Sequence, residues 1–117
     1  MTYALLIYRA RPPDQPLPEG TERRALQNHL ALQAAASGRG ELHAVARLDD
    51  TGTARTVRRS GAAHQVTDGP YIEAKEWLVG FYVLDCASED EALARAETLC
   101  DADHAIEVRP VTWRWRP

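Results

Sequence analysis

Apolar and polar positions along the chain fall into strand-like and helix-like stretches. YALLIYRA, from Tyr3 to Ala10, and WLVGFYVLDC, from Trp77 to Cys86, are rich in β-branched and aromatic residues and predict strands, the second being the stronger signal. ELHAVARL, from Glu41 to Leu48, predicts another, with Leu42, Ala44, Ala46 and Leu48 on one face and His43, Val45 and Arg47 on the other. Gly80, inside the strongest strand, marks a bulge or a close approach of neighbouring backbone.

Helical spacing takes over from Thr21 to Ser37 and from Ser88 to Cys100. In the first, Leu26, Leu30 and Ala34 form one side of a broad apolar arc and Ala25, Leu32 and Ala36 the other, with His29 and Gln33 between them; Thr21 is the expected N-cap and Gly38-Arg39-Gly40 the stop. In the second, Ser88 followed by Glu91 has capping-box spacing, and Ala92, Leu93, Ala96, Leu99 and Cys100 supply the stripe.

RPPDQPLPEG, with four prolines, separates the first strand from the first helix. RTVRR and HQVTD predict a short hairpin around Ser60-Gly61-Ala62-Ala63, and a last strand begins at Ala105, confined by Pro110 to an edge or a bend. Apart from the hairpin, the order is strand, helix, strand, twice over. The expected fold is therefore α+β and ferredoxin-like, two helices on one face of an antiparallel sheet, with a β-hairpin added between the halves. Nothing in the pattern covers the second face, so a homodimer is expected to close it.

Composition narrows the class. A chain of 117 residues with 44% apolar content fits a single domain over 1–117, and no apolar run approaches membrane-spanning length, so a soluble cytoplasmic protein without membrane contact is expected. The net charge of -3 argues against nucleic acid as a partner. Cys86 and Cys100 make no disulfide framework, and both are expected to be reduced and to face the core. No HExxH, Cys/His set, acidic calcium loop or glycine-rich phosphate loop is present, so neither a metal site nor a cofactor is expected.

Candidate chemistry concentrates in two places. His29 is a titratable ring inside an apolar helical arc, suited to acid–base work if a neighbour fixes its tautomer. In DGPYIEAKEWLVGFY, Asp68 stands in a Gly-Pro turn, Glu73 and Lys75 share one side of an extended chain, and Tyr71 and Tyr82 can stack on a ligand. Trp113 and Trp115 share one face of an extended tail and suit a subunit seam or closure of the core.

These segments, YALLIY, ARTVRR, VTDGPYIEAKEWLVGFYVLD, SEDEALARAE and IEVRPV, together resemble the YCII-related family and its DGPF-type branch over Tyr3 to Val111, with Tyr71 where phenylalanine is usual. The resemblance implies a ferredoxin-like, dimeric α+β barrel, and in the wider family a histidine and aspartate pair suspected of acid–base work. His29 lies in the first helix as that histidine does. The leading expectation is a protein that binds a small-molecule metabolite in a polar pocket formed by Asp68, Tyr71, Glu73, Lys75 and Tyr82. The alternatives are an enzyme of proton-transfer or hydrolytic type using Asp68 or His29, and a structural or regulatory interaction protein.

Overall fold

The computed structural model describes residues 1–12, 15–71 and 76–117. Along the chain run β1 (Thr2–Arg9), α1 (Thr21–Gly38), β2 (Leu42–Arg47), a single 3-10 turn (Thr51–Thr53), β3 (Arg55–Ser60), β4 (Ala63–Asp68), β5 (Trp77–Asp85), α2 (Glu89–Glu97) and β6 (His104–Pro110). β1, β2, β5 and β6 form one sheet in the order β2-β5-β1-β6, antiparallel throughout, while β3 and β4 pair only with each other. The two β–α–β units interleave, so each helix bridges two strands that flank a strand of the other unit.

Strand alternation decides which face receives the helices. Tyr3, Leu5 and Ile7 of β1 and Tyr82 and Leu84 of β5 are buried there, joined by Leu32 of α1, by Ala92 and Ala96 of α2, and by Leu99. On the opposite face Ala4, Leu6, Phe81 and Val83 are only half-buried, with no helix over them.

Gly80 answers to both readings made of it. A Cβ there would stand 2.7 Å from the Ala46 carbonyl oxygen, and the β1–β5 register slips between Ile7 and Tyr8, beside Gly80. A second slip, between Leu42 and Ala44, corrects the single face expected for β2. Leu42 lies opposite buried Leu84, but beyond the bulge Val45 and Arg47 lie opposite Tyr82 and Gly80, on the helix-covered face, and Ala44 and Ala46 turn to the open one.

The helices also depart from expectation at their ends and edges. α1 is capped by Gly20, in a left-handed conformation at φ 83°, rather than by Thr21, whose side chain is buried in the first turn. Its inward stripe is Ala25, His29, Leu32, Gln33 and Ala36, whereas Leu26 and Leu30 remain 57% and 55% exposed. Half of the expected apolar arc therefore faces away from the sheet, and His29 moves to the middle of the half that packs.

α2 starts as its sequence implies: Ser88 Oγ accepts from the Glu91 amide at 3.1 Å and Glu91 Oε2 accepts from the Ala87 amide. It ends at Glu97, so Leu99 reaches the core from the following turn and Cys100 is exposed, against the expectation that both thiols face inward. Arg95 ties α2 to the residue just before β2 through an ion pair with Glu41 at 2.7 Å and donates to the Asp85 carbonyl at the end of β5. Trp113 and Trp115 are 79% and 72% exposed, which excludes closure of the chain's own core as their role. Among the described residues no helix is long and apolar enough to cross a membrane.

Candidate active site at the His29–Tyr82 contact

Tyr82 lies in the middle of the helix-covered face, opposite Leu5 on one side and Val45 on the other, and is fully buried. A phenol in that position needs a partner for its hydroxyl. α1 provides two: His29 Nδ1 at 2.7 Å and Gln33 Nε2 at 3.1 Å. His29 and Gln33 are one helical turn apart, so the spacing of the inward stripe alone brings both to the same oxygen. The imidazole and phenol rings lie within 5° of parallel, with centroids 5.7 Å apart.

The bonding order favours one histidine tautomer. The Gln33 amide has only hydrogens to give at Nε2 and donates to Tyr82 Oη. The phenol has one proton of its own to place, and donating it to His29 Nδ1 gives that proton an acceptor and leaves the imidazole proton on Nε2. Both groups are held neutral: burial, followed by the charges of His104 and Arg47, lowers the His29 pKa below 6.5, and burial raises that of Tyr82 above 10.0 despite the Gln33 bond. Among the described residues Nε2 of His29 has no hydrogen-bond partner.

Strand register builds the surroundings. Moving outward from Tyr82, the next row on this face is Arg47, Gly80, Ile7 and Ile106, and the row after it contains Trp77, Arg9 and His104. Asp101 accepts from His104 Nδ1 at 2.9 Å, and Arg11 pairs with Asp103 at 3.3 Å. The apolar core thus changes into a titratable rim within two rows. Arg47, Gln33 and the Asp101–His104 pair are parts of this site that sequence reasoning missed; their signal was the switch from apolar to polar residues at the ends of several strands.

Of the residues predicted for the site, His29 and Tyr82 are in direct contact. Asp68 and Tyr71 are elsewhere in the chain, Asp68 at the end of β4 and Tyr71 just beyond it. Asp68 is 88% exposed and pairs with Arg55 at 3.3 Å, Gly69 takes φ 96° and donates to the Ala54 carbonyl, and the Arg58 guanidinium lies 4.7 Å from the Tyr71 ring centre. Within one chain Tyr82 and Asp68 therefore do not share the polar pocket expected of them: one is a core residue of the large sheet and the other a solvated residue of the small one. Glu73 and Lys75 lie outside the described residues.

A second histidine–carboxylate contact, which the sequence did not suggest, occupies the far end of the sheet. His43 Nε2 is 2.8 Å from Asp85, whose pKa is lowered mainly by the hydrogen bond from the Thr2 hydroxyl and then by His43. Among the described residues no group of three or more His, Cys, Asp or Glu side chains is placed to hold a metal ion.

An antiparallel four-stranded sheet with two helices on one face, interleaved as two β–α–β units and carrying a histidine–phenol contact between helix and sheet, defines an α+β protein of ferredoxin-like connectivity. The sequence model of the YCII-related domain matches residues 1–116, and the chain belongs to that family. It is 40% identical over 114 residues to an uncharacterized protein of Rhizobium meliloti (strain 1021), an alignment that spans 95% of this chain and 92% of that protein.

Proposed function

We propose that this chain binds a small molecule at the outer edge of the His29–Tyr82 contact, and that His29 supplies a proton or a hydrogen bond to it from Nε2. The observation that carries this reading is the double use of the Tyr82 hydroxyl. Gln33 donates to it and His29 Nδ1 accepts its proton, which orients the imidazole and leaves Nε2 without a partner among the described residues. A neutral imidazole held as a donor suits an electrophilic role toward a carbonyl or other oxygen more than that of a resting base. Proton transfer is the reaction class this arrangement serves.

The same proposal includes a homodimer and the DGPF-type branch. Asp68, Gly69, Pro70 and Tyr71 carry the branch motif. Ala4, Leu6, Phe81 and Val83 form a half-buried apolar face with no helix of their own, and Val57 and Val66, opposite each other on the β3–β4 sheet, are 66% and 59% exposed. Pairing of two open faces into a barrel removes these surfaces from water. In that assembly Asp68 and Tyr71 join the binding site from the partner subunit.

The test is a fragment screen followed through the His29 ring signals in NMR. Ligands that move the His29 Hε1 resonance in the wild type, and fail to bind a folded His29→Asn variant, support the reading. Hits that bind equally well to both variants place the site elsewhere. Sedimentation of wild type against Phe81→Asp tests the dimer: a monomeric wild type removes that part of the proposal.

A further inference from the structure

Resting on that reading of the His29 site, the charge around it identifies the class of ligand. On the helix-covered face the register sets Arg47 directly across from Gly80, and Gly80 stands two residues before Tyr82 on β5. Arg9 follows Ile7 by two on β1 and faces His104 on β6, so it lies on the same side. The two arginines end the parallel strands β2 and β1, separated by β5 and by one row along the face, which puts their backbones about 12 Å apart. In the Arg47 row Gly80 contributes no side chain, and in the Arg9 row β5 presents Trp77.

Neither arginine is neutralised among the described residues. Arg47 has no ion pair or hydrogen bond there. Arg9 donates from one terminal nitrogen to the Gln15 carbonyl, while its Nε is buried without a partner. Of the acids at this end, Asp101 is taken by His104 and Asp103 by Arg11, while Asp49 and Asp50, just past β2, and Glu76, just before β5, make no ion pair with either arginine among the described residues. Two guanidinium groups without an ion-pair partner among the described residues therefore stand on the face that carries the His29 imidazole. That His104 and Arg47 both depress the His29 pKa agrees with their nearness to the ring.

We infer that the ligand is a small organic carboxylate, with its carboxyl group held by Arg47 and Arg9 and a second oxygen of the same molecule accepting from His29 Nε2. The planar guanidinium fork matches a carboxylate, and a buried unpartnered Nε gains a charge-assisted bond when one arrives. No covalent step is involved: the inference concerns which molecules are held, and by which side chains.

The probes are succinate, its neutral isostere succinamide, and inorganic phosphate, each titrated into the full chain while the ring signals of His29 are followed. Succinate is expected to shift His29 and to raise its pKa, because an anion beside the ring favours the imidazolium. Arg47→Ala and Arg9→Ala are each expected to weaken succinate by about tenfold or more while leaving the His29–Tyr82 tautomer signature intact. Should Arg9→Ala fail to fold, Arg9→Lys keeps the charge and loses the fork, and weaker succinate binding by that variant supports the same role. Succinamide binding as well as succinate, unchanged affinity in both arginine variants, or phosphate binding more tightly than succinate would overturn the inference. Equal response to succinamide leaves the His29 site standing and removes only the carboxylate. Silence of His29 to every probe removes the carboxylate too, and the tautomer measurement described below then decides the site itself.

Discussion

Replacing Tyr82 by phenylalanine deletes a single oxygen and keeps the ring that packs against Leu5 and Val45. That oxygen serves His29 at 2.7 Å and Gln33 at 3.1 Å. A neutral hydrogen bond contributes about 1 kcal/mol net, and a stranded buried partner costs about 1–3 kcal/mol. His29 and Gln33 are half-buried and recover part of their solvation from water, so the loss comes to about 2 kcal/mol. For a chain of this length that lowers Tm by roughly 8 °C. The more discriminating readout is the tautomer. In the wild type, long-range 1H–15N correlation of the His29 ring should show the proton on Nε2 and an unprotonated Nδ1. In Tyr82→Phe the nitrogens lose the phenol that distinguished them, and the spectrum should move toward a mixture. A wild type protonated at Nδ1, or a variant with tautomer and Tm both unchanged, would refute the bonding order on which the site depends.

Three further outcomes follow from neighbouring features. Because burial and nearby cations hold His29 below its ordinary 6.5, the unfolded chain binds more protons than the folded one just under that value; stability should fall as pH drops from 6.5 toward the folded pKa, and His29→Asn should flatten that limb of a Tm–pH curve. Gly80→Ala would place a methyl 2.7 Å from the Ala46 carbonyl oxygen, against backbone that must shift, at a cost of about 1–3 kcal/mol in denaturant unfolding. Ser88→Ala removes the acceptor for the Glu91 amide and should cost about 1 kcal/mol, with no effect on the His29 signals.

Where one local interaction decides the outcome, the sequence was legible. Ser88 and Glu91 announce the start of α2 because a capping box is complete within four residues, and β5 is evident because its β-branched and aromatic run has no competing reading. The failures involve a second element. Thr21 has a good capping side chain, but the tertiary structure buries it and Gly20 supplies the turn instead. The faces of β2 depend on a bulge at His43, and a bulge is a property of pairing with β5, invisible in β2 alone. Helical spacing gave α1 an apolar arc wider than the sheet can cover; which side would pack, and hence whether His29 or Leu30 would meet Tyr82, was settled only by docking. DGPY drew attention through its turn chemistry, yet that chemistry organises the β3–β4 sheet, where the Thr56 hydroxyl donates to the Gly69 carbonyl at 2.8 Å.

The placement of polar residues also bears on whether the His29 contact serves only to satisfy a buried phenol. That task needs one partner on α1, and Gln33 alone would meet it. The structure instead changes character within two rows of Tyr82 on β1, β2 and β6, while β5 runs on through Gly80 to Trp77. On the helix-covered face β1 passes from Leu5 and Ile7 to Arg9, β6 from Val108 and Ile106 to His104, β2 from Val45 to Arg47, and α1 presents His29. Each substitution of an apolar by a titratable residue at the edge of a core gives up burial energy locally. Within the chain only some of these charges are paired: His104 and Arg11 have their aspartates, whereas Arg9 and Arg47 have none among the described residues. A requirement for stability would be met more simply by apolar residues or by closed ion pairs. An imidazole under the charge of Arg47, with Arg9 two strands away on the same face and neither arginine ion-paired among the described residues, is the arrangement expected where a ligand completes the site.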